Sequence, residues 1–456
     1  MANFPDSSLP VTSFNASVVA AIQDRTLQRV FRDTLYPRLL YRMESVAELW
    51  PVNLGANQTF SRPGLIKPST RPLQPGKDPE PKAYQIEQWE ATAQQWGDTI
   101  DTHMPTSYVT LASQYLRNMH QLGLHSGQSL NRVVRDKLFN SYVAGNTVVS
   151  GAVGGGVSVP VVNLAGFTRK LYQGRPTPVS ASNPLQISIA GVGTKNVIGF
   201  TSAIPGDEIH AGTLTIDVAH AGLAGREAVL AVNRSQMLYS GGGTRVDDVA
   251  GGDQFTLADI RAAVALLRFN NVPPHEDGSY HWHLDPISES QIFGDDEFQR
   301  LNQSIPDFIH YRRFAVAYLL GGTFYRNTEA PTEATIDEDP KTGFTTAFEI
   351  TNPTSVKLHR PIVTGQGAIE EKYLDEGRYI SEAGIQGKIG EFSVVNGGVQ
   401  VMTERIRLIL RAPLDRLQQQ TSATWSFSGD WPVPTDELAP SGAATYRRAV
   451  VVVHGE

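Results

Sequence analysis

The chain has no cysteine among its 456 residues. That excludes disulfides, thiol catalysis and cysteine metal sites. It also lacks a surplus of positive charge: 39 Lys and Arg face 46 Asp and Glu, a net charge of −7. A dedicated nucleic-acid binder concentrates cations, so this balance argues against one. No apolar run is long enough to cross a bilayer, and no membrane partner is expected. The first residues, MANFPDSSLPVTSF, have neither a basic start nor a continuous apolar core, so no secretory signal is expected. Synthesis in the cytoplasm follows as the expectation. No phosphate loop of the G-x-x-x-x-G-K-[ST] type occurs, and no G-x-S-x-G elbow. Acidic pairs such as Asp247-Asp248 and Glu370-Glu371 read as solvated turns or helix starts, and no catalytic residue, metal or cofactor is assigned.

What is present is a globular composition, 40% hydrophobic with 9% aromatic residues, in a chain long enough for two or three domains. Residues 13 to 48 read as two helices separated at Pro37. Val18, Val19, Ile22, Val30, Phe31 and Leu35 fall near one face, and Arg25, Arg29, Arg32, Arg38 and Arg42 lie mostly away from it. Those arginines fit a solvated face, or an arm that meets partner carboxylates or DNA. Residues 50 to 110 carry Pro51, Pro63, Pro68, Pro72, Pro75, Pro79 and Pro81, which exclude a long helix and suit an extended excursion. Residues 111 to 145 return to helical spacing, with a kink or split expected between Gly123 and Gly127. From Gly151 to about Gly252 short apolar runs alternate with glycines, the pattern of a small β-barrel or sandwich.

The stretch from Thr256 to Thr323 is the most explicit. Thr256 and Asp259 form a variant of the capping box. Leu257, Ile260, Val264 and Leu267 make one apolar helical face. Asn270-Asn271 and Pro273-Pro274 stop the helix, and Asp277-Gly278 marks a turn. Tyr280, Trp282 and Leu284 alternate with His281 and His283 as in a strand ending at Asp285-Pro286. The acidic helix start Gly294-Asp295-Asp296-Glu297-Phe298 follows. His275, His281, His283 and Asp285 are the best metal candidates, because two strand histidines one residue apart share a side. The same residues fit ordinary strand histidines. Near the C-terminus, Ile406, Leu408 and Leu410 alternate with Arg405, Arg407 and Ile409. A PLDR turn, a Trp-rich strand ending at Val433-Pro434 and a final apolar strand come next.

The order of these segments in both halves of the chain resembles the major capsid proteins of tailed bacteriophages with the HK97-like fold, in particular the group typified by the phage N4 capsid protein. The resemblance implies an α+β architecture. Its parts would be an N-terminal arm (1–49), an extended loop (50–110), a peripheral domain with a spine helix (111–150), an inserted β-rich domain (151–252), an axial domain with associated strands (253–403), and C-terminal peripheral strands (404–456). The implied function is assembly of a virion shell around the genome, without enzymatic activity. The implied partners are further copies in pentamers and hexamers, a portal, a separate scaffold protein, a decoration protein on the outer face, and packaged DNA nearby. Arg62, Lys67 and Arg71 on the loop are expected to meet carboxylates of the next subunit. Trp89 and Trp96 are expected to pack on the peripheral domain, and Arg25, Arg29 and Arg32 to lie on the arm. A shell of the same fold around an enzyme cargo, a glycan-binding β-rich protein, and a metal enzyme using His281 and His283 remain alternatives at the level of sequence.

Overall fold

A computed structural model describes residues 26–35, 39–51, 55–63, 69–70, 72, 76, 78–79, 81, 86–103, 111–172, 175–203, 208–209, 211–225, 227–232, 234–302, 318–327, 329–330, 358–375, 387–389, 392–395, 398–411, 420–436, 441–442 and 446–456. The elements used below are, in chain order, α1 (Thr26–Leu35), β1 (Ser45–Leu49), β2 (Asn57–Pro63), β3 (Ile86–Thr92), β4 (Gln94–His103), α2 (Leu111–Tyr142), β5 (Met237–Tyr239), α3 (Leu257–Phe269), β6 (Tyr280–Leu284), α4 (Pro286–Gly294), α5 (Asp296–Asn302), β7 (Tyr318–Leu319), β8 (Gly322–Arg326), β9 (Ile362–Thr364), β10 (Ile369–Tyr373), β11 (Ile406–Arg411), β12 (Gln420–Asp430) and β13 (Ala449–Gly455). The chain divides into two compact units. Among the described residues no helix is long and apolar enough to cross a membrane.

The first unit draws on residues 1–58, 90–134 and 370–432. Its sheet runs β1–β10–β12–β11 and continues through the strands Gly398–Thr403, Phe392–Val395 and Gly387–Ile389, with β4 also paired to β12. In β11, Ile406, Leu408 and Leu410 are buried while Arg407 and Ile409 are half-buried and Arg411 is exposed. This is the alternation of a strand with one face in the core. Helix α1 buries Leu27, Phe31 and Leu35 and leaves Arg29 and Arg32 exposed. No second helix follows Pro37 within the described residues. Arg42–Glu44 is a single 3-10 turn that leads into β1. Arg42 correspondingly lies inside the unit, 6% exposed, and not on a solvated helix face. Hydrogen bonding of Ser45 N–H back to Arg42 C=O closes the turn before helical propagation can start.

Helix α2 runs unbroken through Gly123 and Gly127 for 32 residues, so the expected kink is absent. A Cβ on Gly123 would sit 2.0 Å from Thr34 Oγ1 and 2.8 Å from the Phe31 carbonyl oxygen. The glycine lets α1 approach the backbone of α2; it serves packing and leaves the helix continuous.

The second unit draws on residues 59–89, 135–369 and 433–456. Six antiparallel strands, Asn146–Val148, Ala228–Ala231, Leu185–Ile189, Gly193–Ser202, Gly212–Leu223 and Val153–Val161, are paired in that order. The two end strands meet through a Val149–Val161 bridge, and Ser150 N–H donates to Pro160 C=O at 3.0 Å. The sheet therefore closes into a small barrel filled by Val159, Leu185, Ile187, Val197, Leu214, Ile216 and their neighbours.

The same unit holds a sheet in the order β5–β13–β9–β6–β8–β7, with Leu358–His359 also paired to β13. Strand β13, AVVVVHG, is buried at every position, as a central strand covered on both faces requires. Helix α3 packs Leu257, Ile260, Ala263, Val264 and Leu267 into a core with Tyr280, Trp282, Val450 and Val452. Its start is set by Asp259, whose carboxylate accepts the Thr256 N–H at 2.9 Å. Its end is a Schellman motif. Asn271 adopts φ 56°, Asn271 N–H donates to Arg268 C=O at 3.0 Å, and Val272 N–H donates to Leu267 C=O at 3.1 Å. Helix α4 begins with Pro286 after Asp285, whose side chain accepts the Ile287 and Ser288 N–H groups.

Candidate functional site

The root of the proline-rich excursion is the best-defined feature carrying residues singled out from sequence. Strands β2 and β3 pair with each other and with no other described strand. Trp89 is buried and stacks on Phe60, with ring centroids 6.4 Å apart. The Arg62 guanidinium lies over the Trp89 ring, 5.6 Å from its centroid. Arg62 Nε donates to Glu87 Oε2 at 2.9 Å, and Nη2 donates to Asp436 Oδ1 at 3.1 Å and to the Thr435 carbonyl at 3.3 Å. Burial alone would lower the Arg62 pKa, but the bonds and charges of Glu87 and Asp436 outweigh it and raise it. Thr435 Oγ1 donates to Gln88 C=O at 3.1 Å, and Arg448 Nε donates to Asp436 at 2.8 Å. Asp436 is thus a hub that fixes the base of the excursion to residues just before β13.

Arg62 therefore has its carboxylates within its own chain, because the β2–β3 pairing brings Glu87 beside it. Lys67 and Arg71, further along the loop, and Arg25 lie outside the described residues. Arg29 and Arg32 are exposed on α1, with Arg32 Nε 3.8 Å from Asp33. Trp96, on β4, packs against Phe427 and Trp431 of the first unit at centroid distances of 6.0 Å and 5.1 Å.

Inside the first unit, Arg42 and Glu371 form a buried two-point ion pair. Arg42 Nη2 also donates to Glu404 C=O at 2.9 Å, and Arg405 Nη1 lies 3.4 Å from Glu371 Oε1. Burial pushes the Glu371 pKa up, but the hydrogen bond from Arg42 and the charges of Arg42 and Arg405 bring it below the ordinary value. No local pattern announces this pair, since its members are 329 residues apart.

The histidine-rich strand takes a different form from a chelating site. His275 and His281 stack with centroids 3.9 Å apart and planes 9° from parallel. Imidazole binds a metal through a lone pair in the ring plane, so an ion in the plane of one ring lies off the plane of the other. His281 Nε2 is 3.1 Å from Asp277 Oδ2, and His275 Nε2 is 3.2 Å from the Thr364 carbonyl. Burial tends to raise the Asp277 pKa, but hydrogen bonds from Ser279 and His281 draw it down to about 2. His283 is buried and stacks on Tyr325 at 5.7 Å.

Asp285, the fourth candidate, belongs to a buried polar network. Ser288 Oγ donates to Asp285 Oδ1 and lies 2.6 Å from His454 Nε2. His359 Nδ1 lies 2.8 Å from Asp285 Oδ2, and the His359 and His454 rings stack at 5.2 Å. The set contains a serine, histidines and an aspartate, but Ser288 and His454 have no exposed surface. A nucleophile must be reached by its substrate; here the hydroxyl and carboxylate secure the start of α4 against β13. Sequence reading identified Asp285 and missed His359 and His454, neither of which carries a distinguishing spacing.

No family model matches the chain, and no curated protein does. Solved phage capsid structures do. A chain of the cyanophage Pam1 capsid asymmetric unit is 10% identical, with 93% of this chain and 92% of that chain covered at a TM-score of 0.49. The capsid structure of Helicobacter pylori bacteriophage KHP30 gives 10% identity, 90% and 87% coverage and a TM-score of 0.47. The capsid of Ralstonia phage GP4 gives 11% identity, 90% and 87% coverage and a TM-score of 0.47.

Proposed function

We propose that this chain is a phage major capsid protein of the HK97-like, N4-type group, which assembles with copies of itself into the icosahedral shell enclosing the genome. The observation that carries the reading is the β2–β3 ladder. It joins no larger sheet among the described residues, and alternate positions of β2 stay exposed along its length. A lone two-stranded ladder is marginal in water. Its loop-side end, however, is held by Arg62, Glu87, Trp89, Thr435 and Asp436. A ladder fixed where the excursion leaves it, and joined to no larger sheet among the described residues, suits a clasp laid on a neighbouring subunit, where backbone pairing adds affinity.

On this reading residues 50–110 are the extended loop, with Lys67 and Arg71 meeting acidic groups of the next copy. Residues 1–49 form the arm, and exposed Arg29 and Arg32 face partner carboxylates or packaged DNA. Residues 111–150 hold the spine helix, 151–252 the inserted β-rich domain, 253–403 the axial domain with its strands, and 404–456 the C-terminal peripheral strands. Head-to-tail contacts between axial domains close rings of five or six. Many modest contacts per subunit, repeated through a shell, make dissociation slow. Portal, scaffold and decoration proteins are the further partners. The test is deletion of residues 60–80. It should leave a folded, soluble subunit that forms no shells; normal particles from the deletion would overturn the clasp.

A further inference from the structure

The β5–β13–β9–β6–β8–β7 sheet has two edge strands, and they carry complementary features. Beside β5 lies an open cleft of about 490 Å³ lined by Arg234, Gln236, Met237, Tyr239, Thr244 and Leu266. That size is typical of sites that enclose a ligand or side chains. Its walls mix polar groups with Met237 and Leu266, and Arg234 is half-buried in it. Arg234 has no hydrogen-bond or ion-pair partner among the described residues. Nearby Arg245, by contrast, lies 3.5 Å from carboxylate oxygens of both Asp247 and Asp248. A half-buried cation held without a partner is an open position for an aromatic face or an acceptor.

At the opposite edge, β7 and the turn after it form an apolar projection. Tyr318 is 58% exposed and Leu320 is 40% exposed. Leu320 at φ 51° and Gly321 at φ 81° are the two central residues of the β7–β8 hairpin, the positive angles that a two-residue hairpin turn uses. The two edges are five strand steps apart, about 24 Å at roughly 4.8 Å per step. The C-terminal end of helix α3 touches both features: Leu266 lines the cleft, and the Arg268 guanidinium lies beside Gly321. A projection and a cleft on opposite flanks of one body cannot meet within one chain, but they can meet head to tail between copies.

We infer that the Tyr318–Leu320 turn of one copy seats in the Arg234 cleft of the next. This rests on the shell reading and names one contact within it. The Tyr318 ring covers the Arg234 guanidinium, Leu320 packs on Met237 and Leu266, and the phenol hydroxyl meets Gln236 or Thr244. The geometry is heterologous, which gives a closed ring when the rotation from copy to copy closes.

The experiment uses the full chain and the variants Arg234→Glu and Tyr318→Asp. Both changed positions are partly or largely exposed, so circular dichroism and melting temperature should match the parent. Each variant alone should lose shell yield at least tenfold and remain monomeric. When the two are mixed, one intact projection meets one intact cleft, and the expected product by mass photometry is a heterodimer that grows no further. Normal shells from either variant, or folded variants that give no heterodimer on mixing, would overturn the contact. The parent chain is the control that separates the two claims: a parent that never assembles removes the shell reading itself, whereas assembling variants remove only this contact.

Discussion

Arg42 and Glu371 lie 329 residues apart and meet through two hydrogen bonds, Nε to Oε2 at 2.8 Å and Nη2 to Oε1 at 2.7 Å. Their side chains are 5% and 1% exposed. A buried pair of this kind is costly to break from one side, because the surviving charge loses its partner. Arg42→Met should therefore lower the stability of the first unit by about 3–5 kcal/mol. Replacing both residues by apolar ones of similar volume should recover much of the loss. Chemical denaturation of the two variants checks both outcomes.

The Gly123 contact gives a prediction opposite in sign to helix propensity. Glycine to alanine in an exposed helix interior gains about 1 kcal/mol. At position 123 the new methyl would collide with Thr34 Oγ1 and the Phe31 carbonyl. Gly123→Ala should destabilise by about 1–3 kcal/mol, the usual cost of overpacking. Adding Thr34→Ala should restore part of it, and the Phe31 carbonyl should keep the recovery incomplete.

The buried network around Asp285 makes stability depend on pH. Burial first, then the neighbouring His359 charge, lowers the His454 pKa to about 4. Between pH 6.5 and about 4 the unfolded chain binds a proton at this residue that the folded chain does not, so stability falls with pH across that window. At ~1.4 kcal/mol per pH unit the upper limit is about 3 kcal/mol. His359 acts in the other direction. Burial would lower its pKa, but Asp285 and Glu456 raise it, so its contribution is full below pH 6.5 and is lost as pH rises through the folded value. Asp285 is lowered despite burial, and its contribution disappears only as pH falls below the ordinary carboxylate range. His454→Gln should flatten the melting temperature against pH between 6.5 and 4; an unchanged slope would assign the acid sensitivity elsewhere.

These three sites also show where sequence reading stops. Thr256 with Asp259, Asn270-Asn271, Asp277-Gly278 and Asp285-Pro286 act through backbone groups a few residues away, so their roles are legible from order alone. The alternation in β11 is legible because one face meets the core. Arg42 read as a solvated helix residue because nothing nearby in sequence carries the signal of Glu371. Gly123 read as a break because propensity is local and the approach of α1 is not. His359 and His454 acquire their roles only when β13 is placed beside the Leu358–His359 strand. The loop root was half legible: Arg62 and Trp89 stood out, while Asp436 is 374 residues from Arg62.

The Arg62 hub separates anchoring from assembly. Its side chain is 29% exposed, so Arg62→Ala should cost only about 1 kcal/mol in stability. Shell yield should fall much further, because the arm loses its fixed exit direction. Equal small effects on melting temperature and particle yield would contradict a role for the root in assembly.

Electron microscopy of the expressed full chain, across a range of ionic strengths, addresses the central claim most directly. Closed shells of uniform diameter are the expected result. Monomers at every salt concentration, with sedimentation showing no larger species, would contradict it.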